Sequence, residues 1–447
     1  MQPQLAVSGY RGIWGTTLTS DIARTYVQAF SLFLHKQNAK RIIIGRDARP
    51  SGTELVEIIS QELQAQGFEV TIGGLLPTPT VLFLVREMKF DGAIIVTASH
   101  NPPEYNGLKF VTSRGMFTTE ADVAEIKSYL GTSPDVQSPG TISVDETLGE
   151  KHVAHILEKI DRKLIASKNF KVVLDTINSA GCILGPKLLR ELGCEVTVIN
   201  GEPDGDFAHM PEPLAENLGQ LAEKVKETKA NIGFAQDPDA DRLVVCDETG
   251  TIVFEEYTLS LAVQSVLENP NVTGSKDVVI NMSTSRTNED LAQAHGGKIF
   301  RTKVGEANVS EGILTHNAII GGEGGGGVIY PTINACRDSL TGMALILELL
   351  ARTDTKTSKL VAELPHYEMR KNKFPYAGEL APLYEKMKTA FPEGQVNELD
   401  GLRLDFADGA WVHLRPSNTE PIVRLMGEAK TAERIDSLMI EIKGLFQ

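Results

Sequence analysis

Gly92-Ala93-Ile94-Ile95-Val96 runs straight into Thr97-Ala98-Ser99-His100-Asn101-Pro102-Pro103, and then into Glu104-Tyr105-Asn106-Gly107-Leu108-Lys109. Five apolar residues bounded by a polar, proline-containing turn read as a buried strand that ends in a loop. That pattern, repeated along the chain, decides the fold class. The turn carries a hydroxyl nucleophile, Ser99, expected to be exposed, stiffened by Asn-Pro-Pro and near a cation. Taken alone, the same residues serve equally well as a simple turn.

Three further polar loops follow strand-like runs. Ile232-Gly233-Phe234-Ala235 leads into Asp237-Pro238-Asp239-Ala240-Asp241-Arg242, where carboxylates alternate along a proline-stiffened segment. Three such oxygens turned to one point repel one another unless a cation joins them, and hard oxygen donors suit Mg²⁺. Ala318-Ile319-Ile320 leads into Gly321-Gly322-Glu323-Gly324-Gly325-Gly326-Gly327. Glycines permit close backbone approach and positive φ, and Glu323 is an acceptor for hydroxyl groups, although hairpin turns also use glycine. No Lys-Ser/Thr pair follows, so this is not a nucleotide P-loop. Trp411-Val412-His413-Leu414 leads into Arg415-Pro416-Ser417-Asn418-Thr419-Glu420-Pro421 and Ile422-Val423-Arg424. Two guanidinium forks and three neutral donors around a turn suit a phosphate dianion, and equally a polar hairpin.

The ordered set TASHNP, DPDADR, GGEG and RPSNTEP resembles the α-D-phosphohexomutase superfamily, whose members interconvert 1-phospho and 6-phospho sugars. Val7-Ser8-Gly9-Tyr10-Arg11-Gly12-Ile13, Gly45-Arg46-Asp47-Ala48-Arg49-Pro50-Ser51-Gly52 and Pro203-Asp204-Gly205-Asp206-Phe207 extend the resemblance over essentially the whole chain. It implies that Ser99 is a phosphoserine and that Asp237, Asp239 and Asp241 hold one Mg²⁺ together with a Ser99 phosphate oxygen. A hexose 1,6-bisphosphate is then the intermediate and activator. Arg11, His100, Lys109 and Arg242 match groups around the transferring phosphoryl. Glu323 and Gly325 match the sugar loop, and Arg415, Ser417, Asn418, Thr419 and Arg424 the clamp for the phosphate that is not reacting. One departure stands out. Many members carry Gly-Glu-x-Ser-Gly-His where this chain has Gly-Glu-Gly-Gly-Gly-Gly at 322–327, a version more similar to archaeal-type phosphoglucosamine and phosphomanno/glucomutases. Glucosamine phosphate is therefore the leading substrate expectation, with mannose or glucose phosphate as the alternative. A metal-dependent phosphatase would not need the second phosphate clamp, and a silent sugar-phosphate sensor would not need Ser99 and all three aspartates.

The composition agrees with a large soluble enzyme. Of 447 residues, 41% are hydrophobic and 23% charged, enough for several buried cores. The net charge of -15 disfavours nucleic acid and anionic membranes, so an anionic substrate must be drawn in by local arginines and lysines. Cys182, Cys194, Cys246 and Cys336 are scattered without metal-ligand spacing, as expected of free thiols in a reducing, cytoplasmic setting. Neither a signal-peptide pattern nor an apolar run of membrane-spanning length is evident. Association is expected to be monomeric or homodimeric.

Helical and strand patterns alternate throughout. Ser20 reads as the cap of a helix bearing Ile22, Tyr26, Phe30 and Phe33, followed by the strand Arg41-Ile42-Ile43-Ile44. The alternation restarts at Lys171-Val172-Val173-Leu174-Asp175 and at Asp277-Val278-Val279-Ile280. The restarts predict three tandem α/β domains with mixed, largely parallel sheets, structurally repeated without evident sequence identity. A smaller α+β domain follows, with extended patterns from Leu402 to Met426 and a closing helix near Thr431 to Phe446. The expected limits are 1–150, 151–250, 251–365 and 366–447, and the resemblance implies one functional loop from each domain facing a central cleft.

Overall fold

Strands such as Ile42-Ile43-Ile44 and Gly92 to Val96 bury every residue, as a strand does only when both its faces are covered. The computed structural model describes residues 5–7, 9–132, 138–376, 378–416 and 422–446. Its first sheet contains β1 (Tyr10–Ile13), β2 (Arg41–Arg46), β3 (Glu69–Leu75), β4 (Gly92–Val96), β5 (Tyr105–Thr112), β6 (Met116–Phe117) and β7 (Thr141–Val144). The order is β1-β5-β4-β2-β3-β7, with β6 against β5. Strands β4, β2, β3 and β7 run parallel, and β5 returns antiparallel to β4.

The second sheet has β8 (Lys171–Asp175), β9 (Glu195–Ile199), β10 (Ile232–Gln236) and β11 (Leu243–Asp247) in the order β11-β10-β8-β9. The third has β12 (Val278–Asn281), β13 (Ile299–Thr302), β14 (Ile320–Glu323) and β15 (Gly327–Ile329) in the order β15-β14-β12-β13. Both repeat the central arrangement β5-β4-β2-β3 of the first sheet. In each, two parallel crossovers place the third strand beside the first, and an antiparallel fourth strand closes that edge. The expected structural repetition is therefore present.

The fourth sheet is antiparallel throughout: β16 (Glu368–Pro375), β17 (Gln395–Asn397), β18 (Leu402–Asp405), β19 (Trp411–Pro416) and β20 (Ile422–Ala429), ordered β16-β20-β19-β18-β17. The helices Leu380–Ala390 and Ala432–Gly444 belong to the same unit, the latter capped by Thr431 Oγ1 accepting from the Arg434 amide. The first helix spans Ser20–His35, but its cap is Thr19 rather than Ser20. Thr19 has the extended backbone of a cap, and its Oγ1 accepts from the Ile22 amide.

One apolar core runs through the first three units, from Val81 and Phe83 through Leu184 and Leu188 to Leu259, Met343 and Leu350. The fourth unit has its own core around Met387, Leu404, Leu425 and Leu438. It meets the third through polar contacts. Arg403 Nη1 donates to the Met282 carbonyl, Lys371 pairs with Glu256 at 2.7 Å, and Glu428 accepts from the Ser285 hydroxyl and the Arg286 amide. Among the described residues, no helix is long and apolar enough to cross a membrane.

Candidate active site

All four sequence-predicted loops leave the end of one strand and re-enter the same sheet antiparallel. They join β4 to β5, β10 to β11, β14 to β15 and β19 to β20. Each loop thus springs from a pair of neighbouring antiparallel strands whose stems are hydrogen-bonded to each other.

Ser99 lies on the first turn and is buried, not exposed. Its cover comes in part from a segment remote in sequence: Asp237 Oδ2 lies 3.3 Å from Ser99 Oγ, and on its own turn His100 Nδ1 lies 3.4 Å away. The backbone at Ser99 adopts φ 51°, an uncommon conformation for a residue with a Cβ, which the surroundings must enforce. Thr97 Oγ1 accepts from the Ser99 amide at 2.9 Å and donates to Asp47 Oδ2 at 2.6 Å. Arg49 pairs with Asp47 at 3.0 Å and spends its guanidinium donors on the carbonyls of Ser99, Asn101, Pro102 and Tyr105. From β1, Arg11 Nη1 reaches the Ala98 carbonyl and Asn101 Oδ1, while its buried Nε has no hydrogen-bond partner. Burial lowers the pKa of Arg11. Arg242, burial and Arg11 together push His100 down to about 2, so its imidazole is neutral.

The second turn brings Asp237, Asp239 and Asp241 together, with one oxygen of each inside a 4.8 Å cluster and all three buried. Asp237 Oδ1 accepts from the amides of Asp241 and Arg242, which curls the loop. Lys109 Nζ donates to Asp239 Oδ2 at 2.6 Å and lies 3.8 Å from Asp241. Thr78 Oγ1 donates to the same Asp239 oxygen. Burial and the two neighbouring carboxylates raise Asp237 well above the usual carboxylate range. Burial pushes Asp239 the same way, but Lys109 and Thr78 outweigh it and hold that carboxyl low. Asp239 Oδ1 and Asp241 Oδ1 are buried without any hydrogen-bond partner. Orphaned carboxylate oxygens beside a third carboxylate and a serine hydroxyl are the donor set of a hard divalent cation, so these residues fit Mg²⁺. Arg242 bridges outward from the triad, with Nε 4.0 Å from Asp241 Oδ1 and Nη1 3.6 Å from Glu212.

The third turn holds Glu323 at the end of β14. Its Oε1 accepts from Asn281 Nδ2 and the Gly305 amide, each at 2.8 Å, and its Oε2 from Arg337 Nη1 at 3.0 Å. Gly325 has φ 90° and open space where a side chain would start. Gly326 has φ 88°, and a Cβ there would fall 2.0 Å from the Leu243 carbonyl oxygen, because its own carbonyl accepts from the Leu243 amide. That contact joins the third turn to the strand leaving the second, and it explains glycine at 326 by space as well as by backbone. On the fourth turn, Arg415 is buried with Nε unpartnered, and faces Arg424 in register across β19 and β20. Burial lowers the Arg415 pKa, against the pull of Asp400 and Glu323. Ser417, Asn418 and Thr419 lie outside the described residues.

Direct contacts therefore unite Ser99, His100, Lys109 and the three aspartates in one cluster, with Arg11 bonded to the Ser99 turn and Arg242 to Asp237. Glu323 joins through Arg337. Four consecutive segments of the chain match models described as Phosphoglucomutase/phosphomannomutase: alpha/beta/alpha domain I over residues 4–135, domain II over 150–250, domain III over 255–367 and the C-terminal domain over 377–444. The chain belongs to the phosphoglucomutase/phosphomannomutase family.

Among relatives of this family, a phosphoglucomutase/phosphomannomutase of Thermococcus kodakarensis is 37% identical over 435 residues, covering 95% of this chain and 94% of the relative. A phosphoglucosamine/phosphogalactosamine mutase of Sulfurisphaera tokodaii is 32% identical, covering 98% of both chains. A phosphoglucomutase/phosphomannomutase family protein from Burkholderia thailandensis, solved by crystallography, superposes with a TM-score of 0.88 at 27% identity, covering 100% of this chain and 97% of that one.

Two further residues complete the phosphoglucomutase/phosphomannomutase site. Arg49 sits in the quoted GRDARPSG element, yet only the fold shows that its fork gathers four carbonyls of the Ser99 loop. Arg337, with Asp338, belongs to the pattern that follows the Gly-rich loop, yet only the fold shows that it reaches carboxylates 14 and 96 positions away. Glu306, whose Oε1 accepts from the Arg337 amide, is pushed up to about 7 by burial despite Arg337 nearby.

Proposed function

We propose that this phosphohexomutase interconverts a hexose 6-phosphate and a hexose 1-phosphate through phosphorylated Ser99, with glucosamine phosphate as its sugar. The observation that carries the reading is Ser99 Oγ, 3.3 Å from Asp237 within a buried cluster of three carboxylates. Such a cluster is costly to bury unless charge is handled there. Asp237, Asp239, Asp241 and Ser99 would hold one Mg²⁺, which when bound supplies positive charge toward phosphoryl oxygens.

The chain's own groups do the rest. Arg49 and the Thr97–Asp47 pair fix the Ser99 turn. Lys109 and Arg11 place cations around the transferring group, and neutral His100 donates or accepts a hydrogen bond without adding charge. In the first transfer the bond from Ser99 Oγ to phosphorus breaks as a sugar hydroxyl oxygen bonds phosphorus; the sugar hydroxyl gives its proton to a base and Ser99 Oγ takes one up, which restores the serine hydroxyl. The 1,6-bisphosphate so formed turns over in the cleft, and its other phosphate returns to Ser99. Glu323 accepts from sugar hydroxyls in either orientation, while Arg415, Ser417, Asn418, Thr419 and Arg424 hold the distal phosphate, which positions the reacting end. Domain limits near 150, 250 and 365, a cytoplasmic location and a monomer or homodimer complete this reading.

Amino-sugar specificity is supported by the Sulfurisphaera relative and by the Gly-rich form of the sugar loop. The Thermococcus relative favours the second reading, a phosphomanno/glucomutase. The test is coupled turnover of glucosamine 6-phosphate, mannose 6-phosphate and glucose 6-phosphate with Mg²⁺ and a trace of 1,6-bisphosphate. A preference of about a hundredfold for the amino sugar, near 3 kcal/mol, assigns it. Comparable rates on the neutral hexoses assign the second reading, and inorganic phosphate released in step with substrate loss would make the protein a phosphatase instead.

A further inference from the structure

The motif Gly-Glu-x-Ser-Gly-His, laid on Gly322-Glu323, puts its histidine position at Gly327. Gly327 lies in β15 outside the left-handed region, so its backbone does not call for glycine. Space does. A Cβ at Gly327 would fall 2.4 Å from Cδ and 3.0 Å from Cγ of Arg337. Nor can Arg337 swing aside, because both ends of its side chain are tied. Nη1 donates to Glu323 Oε2 at 3.0 Å and Nη2 to Asp241 Oδ2 at 2.5 Å, while the backbone amide donates to Glu306 Oε1 at 3.1 Å and Nε lies 3.1 Å from Glu306 Oε2.

We propose that Arg337 is the positioning residue that replaces the missing loop side chain, entering the volume left open at Gly327 and fixing Glu323 relative to Asp241. The guanidinium is a rigid plane with its donors at set angles, so one fork holding two carboxylates sets their separation, which a lysine ammonium does not. Glu323 is then fixed through both oxygens, by Arg337 on one and by Asn281 and Gly305 on the other. The sugar loop thereby keeps its register to the metal loop although six of its seven residues, 321–327, are glycine. This inference rests on the proposed roles of Glu323 and Asp241.

The experiment compares steady-state turnover and thermal unfolding of the wild type, Arg337→Lys, Arg337→Ala, Gly327→His and the double variant Gly327→His/Arg337→Ala. Wild-type isomerisation of a hexose 6-phosphate is the control: its absence defeats the functional reading itself, independently of Arg337. Given that activity, kcat of both Arg337 variants falls by about tenfold or more, with KM moving less than about threefold, as expected when orientation is lost. Gly327→His alone is impaired by collision with Arg337, and the double variant recovers roughly fivefold over Arg337→Ala because the histidine enters the vacated space. If Arg337→Ala shows no folding transition, Arg337→Lys, which keeps the charge, decides by the same kcat criterion. Folded Arg337 variants within about twofold of wild type overturn the proposal. So does a double variant no faster than Arg337→Ala.

Discussion

Arg49 donates from Nη2 to the backbone carbonyl of Ser99 at 2.6 Å, and neither residue has significant contact with solvent. A guanidinium whose counter-ion, Asp47, is equally buried is thus used as a clamp on loop carbonyls. Arg49→Met would leave Asp47 as an uncompensated buried charge and release four carbonyls. It should lower unfolding free energy by about 3–5 kcal/mol and depress turnover in whatever protein still folds. Urea unfolding of the two proteins checks this, and a loss below about 1 kcal/mol would contradict the clamp.

Ser99→Ala should remove covalently bound phosphate from the purified protein and reduce isomerisation on the order of 10⁴-fold or more, since the nearby hydroxyls of Thr97 and Thr78 are committed to Asp47 and Asp239. Intact-mass measurement reads the first effect, a coupled assay the second. A phosphate adduct surviving the substitution would move the carrier to another residue.

Chelation should abolish turnover, and Mg²⁺ should restore it. Because Asp237 is held protonation-prone by burial and by two neighbouring carboxylates, cation binding should also expel a proton. Titration calorimetry in buffers of different ionisation enthalpy will show that release. At a hundred times its dissociation constant, Mg²⁺ should add about 2.7 kcal/mol to unfolding free energy. Binding without proton release would mean that all three aspartates are already ionised in the free protein.

His413 gives the contact between the third and fourth units a pH dependence. The Asp400 carbonyl can only accept, so Nε2 carries the hydrogen, and Nδ1 accepts from the Ser283 hydroxyl at 2.9 Å. Burial above all, with Arg403 adding to it, brings the pKa down to about 4. Above pH ~6.5 the imidazole is neutral in folded and unfolded chains alike. As pH falls below that value the unfolded chain takes up the proton first, so stability is lost progressively until the folded pKa is reached. The full loss is roughly 3 kcal/mol. Unfolding of wild type and His413→Gln at pH 7 and pH 4.5 measures it: the variant should lose less stability between the two. Parallel losses would remove His413 as the source.

Much of the fold was legible because buried parallel strands are short, apolar and bounded by polar turns, as at Ile42 to Ile44 and Gly92 to Val96. β16 was not, since Glu368 to Pro375 is charged and half exposed and has the period of neither a core strand nor a helix. Thr19 was passed over for Ser20 because two adjacent hydroxyl residues satisfy the same capping pattern, and only backbone angles choose between them. At the site, the chemistry-bearing loops were legible from residue type. The burial of Ser99 was not, because its cover arrives from Asp237, 138 positions away. Arg337 was invisible as a partner for the same reason: nothing near it in sequence records that a glycine on another strand makes room for it.

The antiparallel strand pair that carries each loop has a consequence for redesign. Each chemical task sits between two stems pinned by their own backbone hydrogen bonds, so an exchange between the stems leaves the register of the strands unchanged, except at Gly324 and Gly326, where a Cβ would strike Glu256 and the Leu243 carbonyl. A library limited to one turn would sample one task at a time, with the other three as an unchanged background. A single-residue insertion in a stem would instead turn its whole inward face outward.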